Sequence, residues 1–163
     1  MICKRKVLIM VYYAIYPYKH WHFLVLATPK GLKSLYLYNG ESLETYIKDE
    51  IIMKPYIDLL DQYFNKQTLP KNIPMDLDGT PFQLSVWHAL INIPFGETRT
   101  YKDIASLTST PKAYQATGNA IGKNPIMVII PCHRVIQTSG KIGGFSSDIH
   151  LKIDLLNFEG EIN

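Results

Sequence analysis

The apolar period of this chain changes near its middle, across a stretch from Gln67 to Gly79 that carries Pro70, Pro74 and Gly79 and shows little period of its own. Ahead of the break, apolar runs rich in Tyr, Val and Ile predict strands over Val7 to Tyr16, Trp21 to Ala27 and Leu32 to Tyr38. Thr28-Pro29-Lys30-Gly31 reads as a tight turn, so the strands should form a small antiparallel sheet. From Ser42 to about Lys66 the period becomes helical, with Leu59, Leu60, Tyr63 and Phe64 on one stripe and Pro55 expected to separate two helices. The 163 residues, 47% of them apolar, suffice for one ordinary core or two small ones. The expected organisation is α/β, with an N-terminal domain over residues 1–75 and a second over 76–163.

Behind the break the chain is punctuated by helix signals. Thr80-Pro81 supplies a cap and a first-turn proline for a helix over Phe82 to Ile93, with Phe82, Val86, Ala89 and Leu90 on one face. Thr100 and Asp103 stand at capping-box spacing before a short helix, Tyr101 to Leu107, with Ile104 and Leu107 turned inward. Thr110-Pro111 repeats the cap signal for a helix over Lys112 to Ile121, ended by Gly122. Two short helices joined by a brief turn make a helix-turn-helix candidate whose second helix would enter a DNA groove. Ala113, Ala116, Thr117, Gly118 and Ala120 leave that helix small along one side, which suits either close helix packing or close approach to DNA. Beyond it, strands over Ile126 to Ile130 and Val135-Ile136 would add a hairpin, giving a winged arrangement. A turn at Gln137 to Gly140, a Gly143-Gly144 loop and a last helix from Asp148 to Phe158, stopped by Gly160, complete the order.

The chemistry concentrates in Pro131-Cys132-His133-Arg134-Val135. A thiol beside an imidazole and a guanidinium is placed to lose its proton, and the thiolate is the nucleophilic form. The only other cysteine is Cys3, and without a CxxC pair a disulfide framework or cysteine-based zinc site is not expected; a reducing compartment, the cytoplasm, fits. Met1 to Tyr16 superficially resembles a secretory signal, yet no small-residue cleavage site follows. His20 and His22 flank Trp21 and could be joined with Cys3 in a zinc site, but a fourth ligand is not evident, so no metal is expected. His88, between Trp87 and Ala89, reads as structural. Net charge is +3, and between Arg99 and Arg134 five basic residues face the single acid Asp103, so this segment suits a polyanion. Arg134 suits either an ion pair or a DNA contact. A thiol hydrolase using Cys132 and His133 would lack a recognisable oxyanion element, and neighbours on a strand would point to opposite faces.

The ordered set Phe95-Gly96-Glu97, Tyr101, Gly118, Asn124-Pro125, Ile130, the Pro-Cys-His-Arg-Val run and Glu159-Gly160 resembles the O6-alkylguanine-DNA alkyltransferases. The resemblance covers roughly the last half of the chain. It implies a small ribonuclease H-like α/β domain followed by a winged helix-turn-helix-like domain carrying the active site. It also implies irreversible transfer of the O6-alkyl group of guanine, and of the methyl of O4-methylthymine, from double-stranded DNA to Cys132, once per molecule. The resemblance makes His133 a general base acting through water, Glu159 its orienting acid, Tyr101 the proton donor to the leaving guanine, and Asn124 a hydrogen-bonding support. Val135, Phe145 and Ser146 would contact the base; Thr100, Tyr114, Gln115, Ala116, Gly118 and Lys123 would contact DNA. No cofactor and no membrane are implied, and a monomer would suffice. One departure stands out: where the family inserts an arginine into the base stack, this chain carries Gln115. The alternative is a non-catalytic sensor of the alkyltransferase-like type, which replaces the cysteine that this chain retains.

Overall fold

A tight turn at Lys19-His20, with Lys19 in the left-handed region at φ 51°, pairs Tyr18 with Trp21 and so fixes the register of the first hairpin. In the computed structural model, which describes residues 8–160, β1 (Tyr12–Tyr18), β2 (Trp21–Thr28) and β3 (Gly31–Leu37) form an antiparallel ladder. A short β4 (Ile47–Lys48) adds in parallel to β1, giving the order β3-β2-β1-β4. The first strand therefore begins later than the expected Val7 to Tyr16. Its register places Tyr12 opposite Ala27, one residue before β2 ends, so Leu8 to Met10 have no partner strand among the described residues and are exposed; Val7 lies outside the described residues. Central β2 is buried continuously from Phe23 to Thr28, as a strand covered on both faces must be.

Only one helix follows, α1 (Glu50–Phe64), capped by the Asp49 carboxylate on the Ile51 and Ile52 amides. Pro55 lies inside it and does not split it. The proline is exposed, and the Ile51 carbonyl whose helical bond it removes belongs to a residue that is itself exposed, so solvent can take that acceptor. Met53, Leu59, Leu60 and Tyr63 are buried, and Phe64 stacks on Tyr18 at 4.0 Å between ring centroids. The proline-bearing stretch behind α1 is partly tied to the sheet: Leu32 donates to the Pro74 carbonyl at 2.9 Å and Asp76 to the Leu32 carbonyl at 2.8 Å. A Cβ on Gly31 would lie 2.4 Å from the Pro74 oxygen, so only glycine fits there. The chain divides into two compact units, Met1–Asp76 and Leu77–Asn163.

The second unit is mainly helical. α2 (Pro81–Ile91) starts with a complete Thr80/Gln83 capping box and buries Val86, Trp87, Ala89 and Leu90. β5 (Arg99–Thr100) leads into α3 (Tyr101–Ser106), which has the expected Thr100/Asp103 box. Ile104 is buried as expected, but Leu107 is 66% exposed, because the helix ends at Ser106 and the turn carries Leu107 outward. α4 (Tyr114–Gly122) starts later than expected: Thr110-Pro111 belongs to the preceding turn, and Ala113 occupies the cap position without a side-chain bond. Gly122 is the last helical residue rather than a left-handed stop. The small side of α4 divides, since Thr117 and Ala120 are buried, with Trp87 Nε1 donating to the Ala120 carbonyl at 2.9 Å, while Ala116 is exposed.

The expected strand over Ile126 to Ile130 is absent. These residues are buried in successive turns, with Val128 at φ 71°, and Asn124 bridges the loop by donating to the Ile130 carbonyl and accepting from the Ile126 amide. A five-residue apolar run signals burial but does not distinguish a strand from a buried loop. With no strand there, the hairpin is also absent, and β6 (Val135–Ile136) instead pairs in parallel with β5. The final α5 (Ile149–Glu159) has its Asp148 cap and a left-handed Gly160 stop at φ 88°. Among the described residues, no helix is long and apolar enough to cross a membrane.

Candidate active site

Cys132 opens a single 3-10 turn, Cys132–Arg134, between the buried apolar loop and β6. Because the Cys-His pair occupies a tight turn, the alternation expected for neighbours on a strand does not apply. Asn124 sets the turn's position: its amide donates to the Ile130 carbonyl at 2.7 Å, two residues before Cys132. Burial pushes the Cys132 thiol up from its ordinary value, opposed by Asn124 and by the positive charge of Lys152. At 5% exposure the resting group is therefore a thiol, and the neighbouring cations alone do not produce the thiolate.

His133 is fully buried, and Nε2 lies 2.8 Å from Glu159 Oε1. Arg134 forks onto the same carboxylate, Nε to Oε2 and Nη2 to Oε1 both at 2.9 Å, while Nη1 donates to the Ile93 carbonyl at 2.7 Å. The Gly96 amide adds a donor to Glu159 Oε2 at 3.2 Å. Burial alone would raise the Glu159 carboxyl, but the bonds from His133 and Arg134 hold it well below its usual range. An ionised carboxylate only accepts, so the proton between the two residues sits on His133 Nε2 and the basic lone pair is on Nδ1. Burial lowers the His133 imidazole and Glu159 opposes that shift, which leaves a neutral ring ready to accept a proton. Arg134, left open between ion pair and DNA contact by the sequence, is buried in the ion pair.

Lys152 completes the buried set. Its Nζ donates to the Val135 carbonyl at 2.6 Å and the Gly144 carbonyl at 3.2 Å, and burial brings it down to about 8, with Cys132 opposing. Sequence reasoning missed this residue. The signal was present: Lys152 falls on the inward stripe of α5 with Leu151, Leu155, Leu156 and Glu159. Tyr101 starts α3, and its hydroxyl lies 3.4 Å from the Gly144 carbonyl; burial first, then proximity to Cys132, raises its pKa. The loop through Gly143 to Ser146 thus meets both Tyr101 and Lys152. Phe145 is half-buried with Lys152 Nζ 5.9 Å from its ring, Ser146 is exposed, and Val135 is fully buried with its carbonyl taken by Lys152.

The other named residues lie on α3 and α4. The Thr100 hydroxyl is committed to its cap, accepting from Asp103 N at 3.1 Å. Tyr114, Gln115 and Ala116 are exposed on the first turn of α4, Gly118 has open space where a Cβ would stand, and Lys123 is exposed at the helix end. His88 Nδ1 donates to the Leu84 carbonyl, 2.7 Å away, and His20 packs on Trp21; Cys3, invoked for zinc, lies outside the described residues. Cys132 and His133 are buried in one turn, with Glu159 bound to His133, while the Gly143 to Ser146 loop meets the Tyr101 phenol and the Lys152 ammonium.

Residues 81–161 match the family model described as 6-O-methylguanine DNA methyltransferase, DNA binding domain. The chain is 34% identical to the inducible methylated-DNA–protein-cysteine methyltransferase of Bacillus subtilis, over 91% of this chain and 90% of that protein. It is 38% identical to the methylated-DNA–protein-cysteine methyltransferase of Methanosarcina acetivorans, over 92% and 99% of the respective lengths. The Mycobacterium tuberculosis OGT crystallised in complex with DNA superposes with a TM-score of 0.81 at 36% identity, covering 91% of this chain and 92% of that one.

Proposed function

The chain belongs to the methylated-DNA–protein-cysteine methyltransferase family, and on that footing we propose that it repairs DNA by direct reversal, taking the O6-alkyl group of guanine onto Cys132. The observation that carries the assignment is the buried Cys132, His133, Glu159, Arg134 set, with Tyr101 and Asn124 beside it. The substrate is double-stranded DNA, and O4-methylthymine presents the same alkoxy carbon. One chain supplies every group required, so the acting species is a monomer, and a buried free thiol suits the reducing cytoplasm.

The reaction runs as an in-line displacement. The Cys132 proton passes through a water to His133 Nδ1, and the resulting imidazolium is stabilised by the carboxylate of Glu159 that Arg134 holds in place. Sulfur then attacks the alkyl carbon, the S–C bond forms as the C–O bond breaks, and guanine departs with the electron pair. Tyr101, whose raised pKa keeps its proton at neutral pH, donates it to the leaving base. The imidazolium then gives up its proton through water and the Tyr101 phenolate takes one back, so atoms and charge balance without a metal or organic cofactor. The thioether product has no group to remove it, so each molecule acts once.

The base must leave the stack for sulfur to reach the alkyl carbon. We read α3 and α4 as the helix-turn-helix that holds the duplex, with Thr100, Tyr114, Gln115, Ala116, Gly118 and Lys123 at the DNA and the segment beyond β6 as the wing. Val135, Phe145 and Ser146 line the place of the rotated base. The sheet and α1 of the first unit form the ribonuclease H-like domain. Residues 1–75 and 76–163 act as the two domains. Incubation with an oligonucleotide bearing O6-methylguanine, followed by peptide mass analysis, tests the assignment: the Cys132 peptide gains one methyl and the protein with Cys132→Ala gains none. Restored DNA with an unmodified protein, or no transfer, contradicts it.

A further inference from the structure

A base rotated out of a duplex leaves a gap flanked by two base pairs that have each lost a stacking partner, and proteins that unstack DNA commonly fill such gaps with a side chain. The group that does so must be exposed on the element facing the duplex, free of other commitments, and planar or apolar enough to lie between bases. α4 exposes Tyr114, Gln115, Ala116, Asn119 and Gly122, and Lys123 is exposed just past its end. Alanine and glycine are too short to fill the space. Lysine has no plane, and the amides of Gln115 and Asn119 would be desolvated between apolar base faces.

Tyr114 differs from the others. It is 49% exposed although it is the only aromatic side chain on the helix. Its hydroxyl and ring have no hydrogen bond or ring contact among the described residues. It is the first residue of α4, where the Cα–Cβ bond tilts back towards the helix start and carries the ring beyond the helix end. An aromatic ring stacks on any base, which suits a gap whose neighbours vary with the sequence around the lesion.

We propose that the Tyr114 ring enters the duplex and stacks in the place vacated by the rotated guanine. This rests on the DNA-repair reading above and assigns the gap-filling role to Tyr114 rather than to its neighbour Gln115. The ring, not the hydroxyl, does the work. Leu107, exposed in the turn between α3 and α4, is the apolar competitor for the same role.

The test compares single-turnover methyl transfer from a duplex containing O6-methylguanine with transfer from O6-methylguanine as the free base, and reads the ratio of the two rates. Only the duplex reaction requires a filled gap. Tyr114→Ala should lower the ratio about tenfold, and Tyr114→Phe should restore it to within about twofold of wild type, as expected for base–aromatic stacking. Gln115→Ala and Leu107→Ala should each lower it less than Tyr114→Ala does. An unchanged ratio for Tyr114→Ala, a larger loss for Gln115→Ala or Leu107→Ala, or no recovery in Tyr114→Phe overturns the proposal. A wild-type protein that transfers nothing from the duplex overturns the underlying repair reading as well, so the two failures are distinguishable.

Discussion

Arg134 grips both carboxylate oxygens of Glu159, at 2.9 Å each, so the acid that orients His133 is itself fixed by its neighbour in the Cys132 turn. Glu159→Gln keeps the volume but removes the charge, leaving the buried guanidinium without its counter-ion and the imidazolium without stabilisation. Breaking a buried pair in this way costs about 3–5 kcal/mol of stability. Chemical denaturation should show that loss, and alkyl transfer measured below the unfolding transition should fall by at least about 10²-fold, within the range for removing acid–base assistance.

The same carboxylate makes stability depend on acid. The Glu159 pKa is lowered in the folded chain relative to its ordinary 4.5, so its stabilisation is fully present above pH 4.5 and is lost as pH falls towards the folded value. Denaturation midpoints should therefore decline on acidification below pH 4.5, and the slope should be shallower in Glu159→Gln. Equal slopes for the two proteins would remove Glu159 as the cause.

Lys152 supports both the thiol and the loop. Lys152→Met keeps a long side chain but removes the charge near Cys132 and the donor shared by the Val135 and Gly144 carbonyls. The pH profile of Cys132 alkylation by iodoacetamide should shift upward, since burial then raises the thiol unopposed by that cation. In the wild type, Lys152 loses its proton as pH passes about 8, and its support for the thiolate is lost over the same range. A profile that does not move in the variant contradicts this role.

Thr117 is fully buried on α4, and its hydroxyl has no hydrogen-bond partner among the described residues. Thr117→Val replaces that hydroxyl with a methyl of similar size and should raise stability by about 1 kcal/mol, at the lower end of the cost of an unsatisfied buried polar group. A melting temperature below that of the wild type would mean that the hydroxyl does find a partner.

Local chemistry made much of the second unit legible from its residues. Thr80, Thr100 and Asp148 each cap the helix that their spacing announces, and Gly160 stops the last one, because these signals act within a few residues. Strand pairing was not legible where it depends on distant partners. Val135-Ile136 pairs with Arg99-Thr100, and the apolar run before Cys132 is buried as a loop because the Asn124 side chain supplies the bonds a neighbouring strand would have made. Cys132 and His133 could be picked out as a reactive pair, whereas the inward turn of Lys152, the fork of Arg134 and the upward push of burial on the thiol exist only once α5 packs against the Cys132 turn.

The central claim is that Cys132 is an acceptor consumed by a single transfer. Titrating a fixed amount of protein with increasing duplex O6-methylguanine, and counting methyl groups moved from DNA to protein, tests it most directly. A plateau at one methyl per chain is expected, which excess substrate and longer incubation do not raise. Continued turnover beyond that plateau, or methyl lost from DNA without appearing on Cys132, would contradict it.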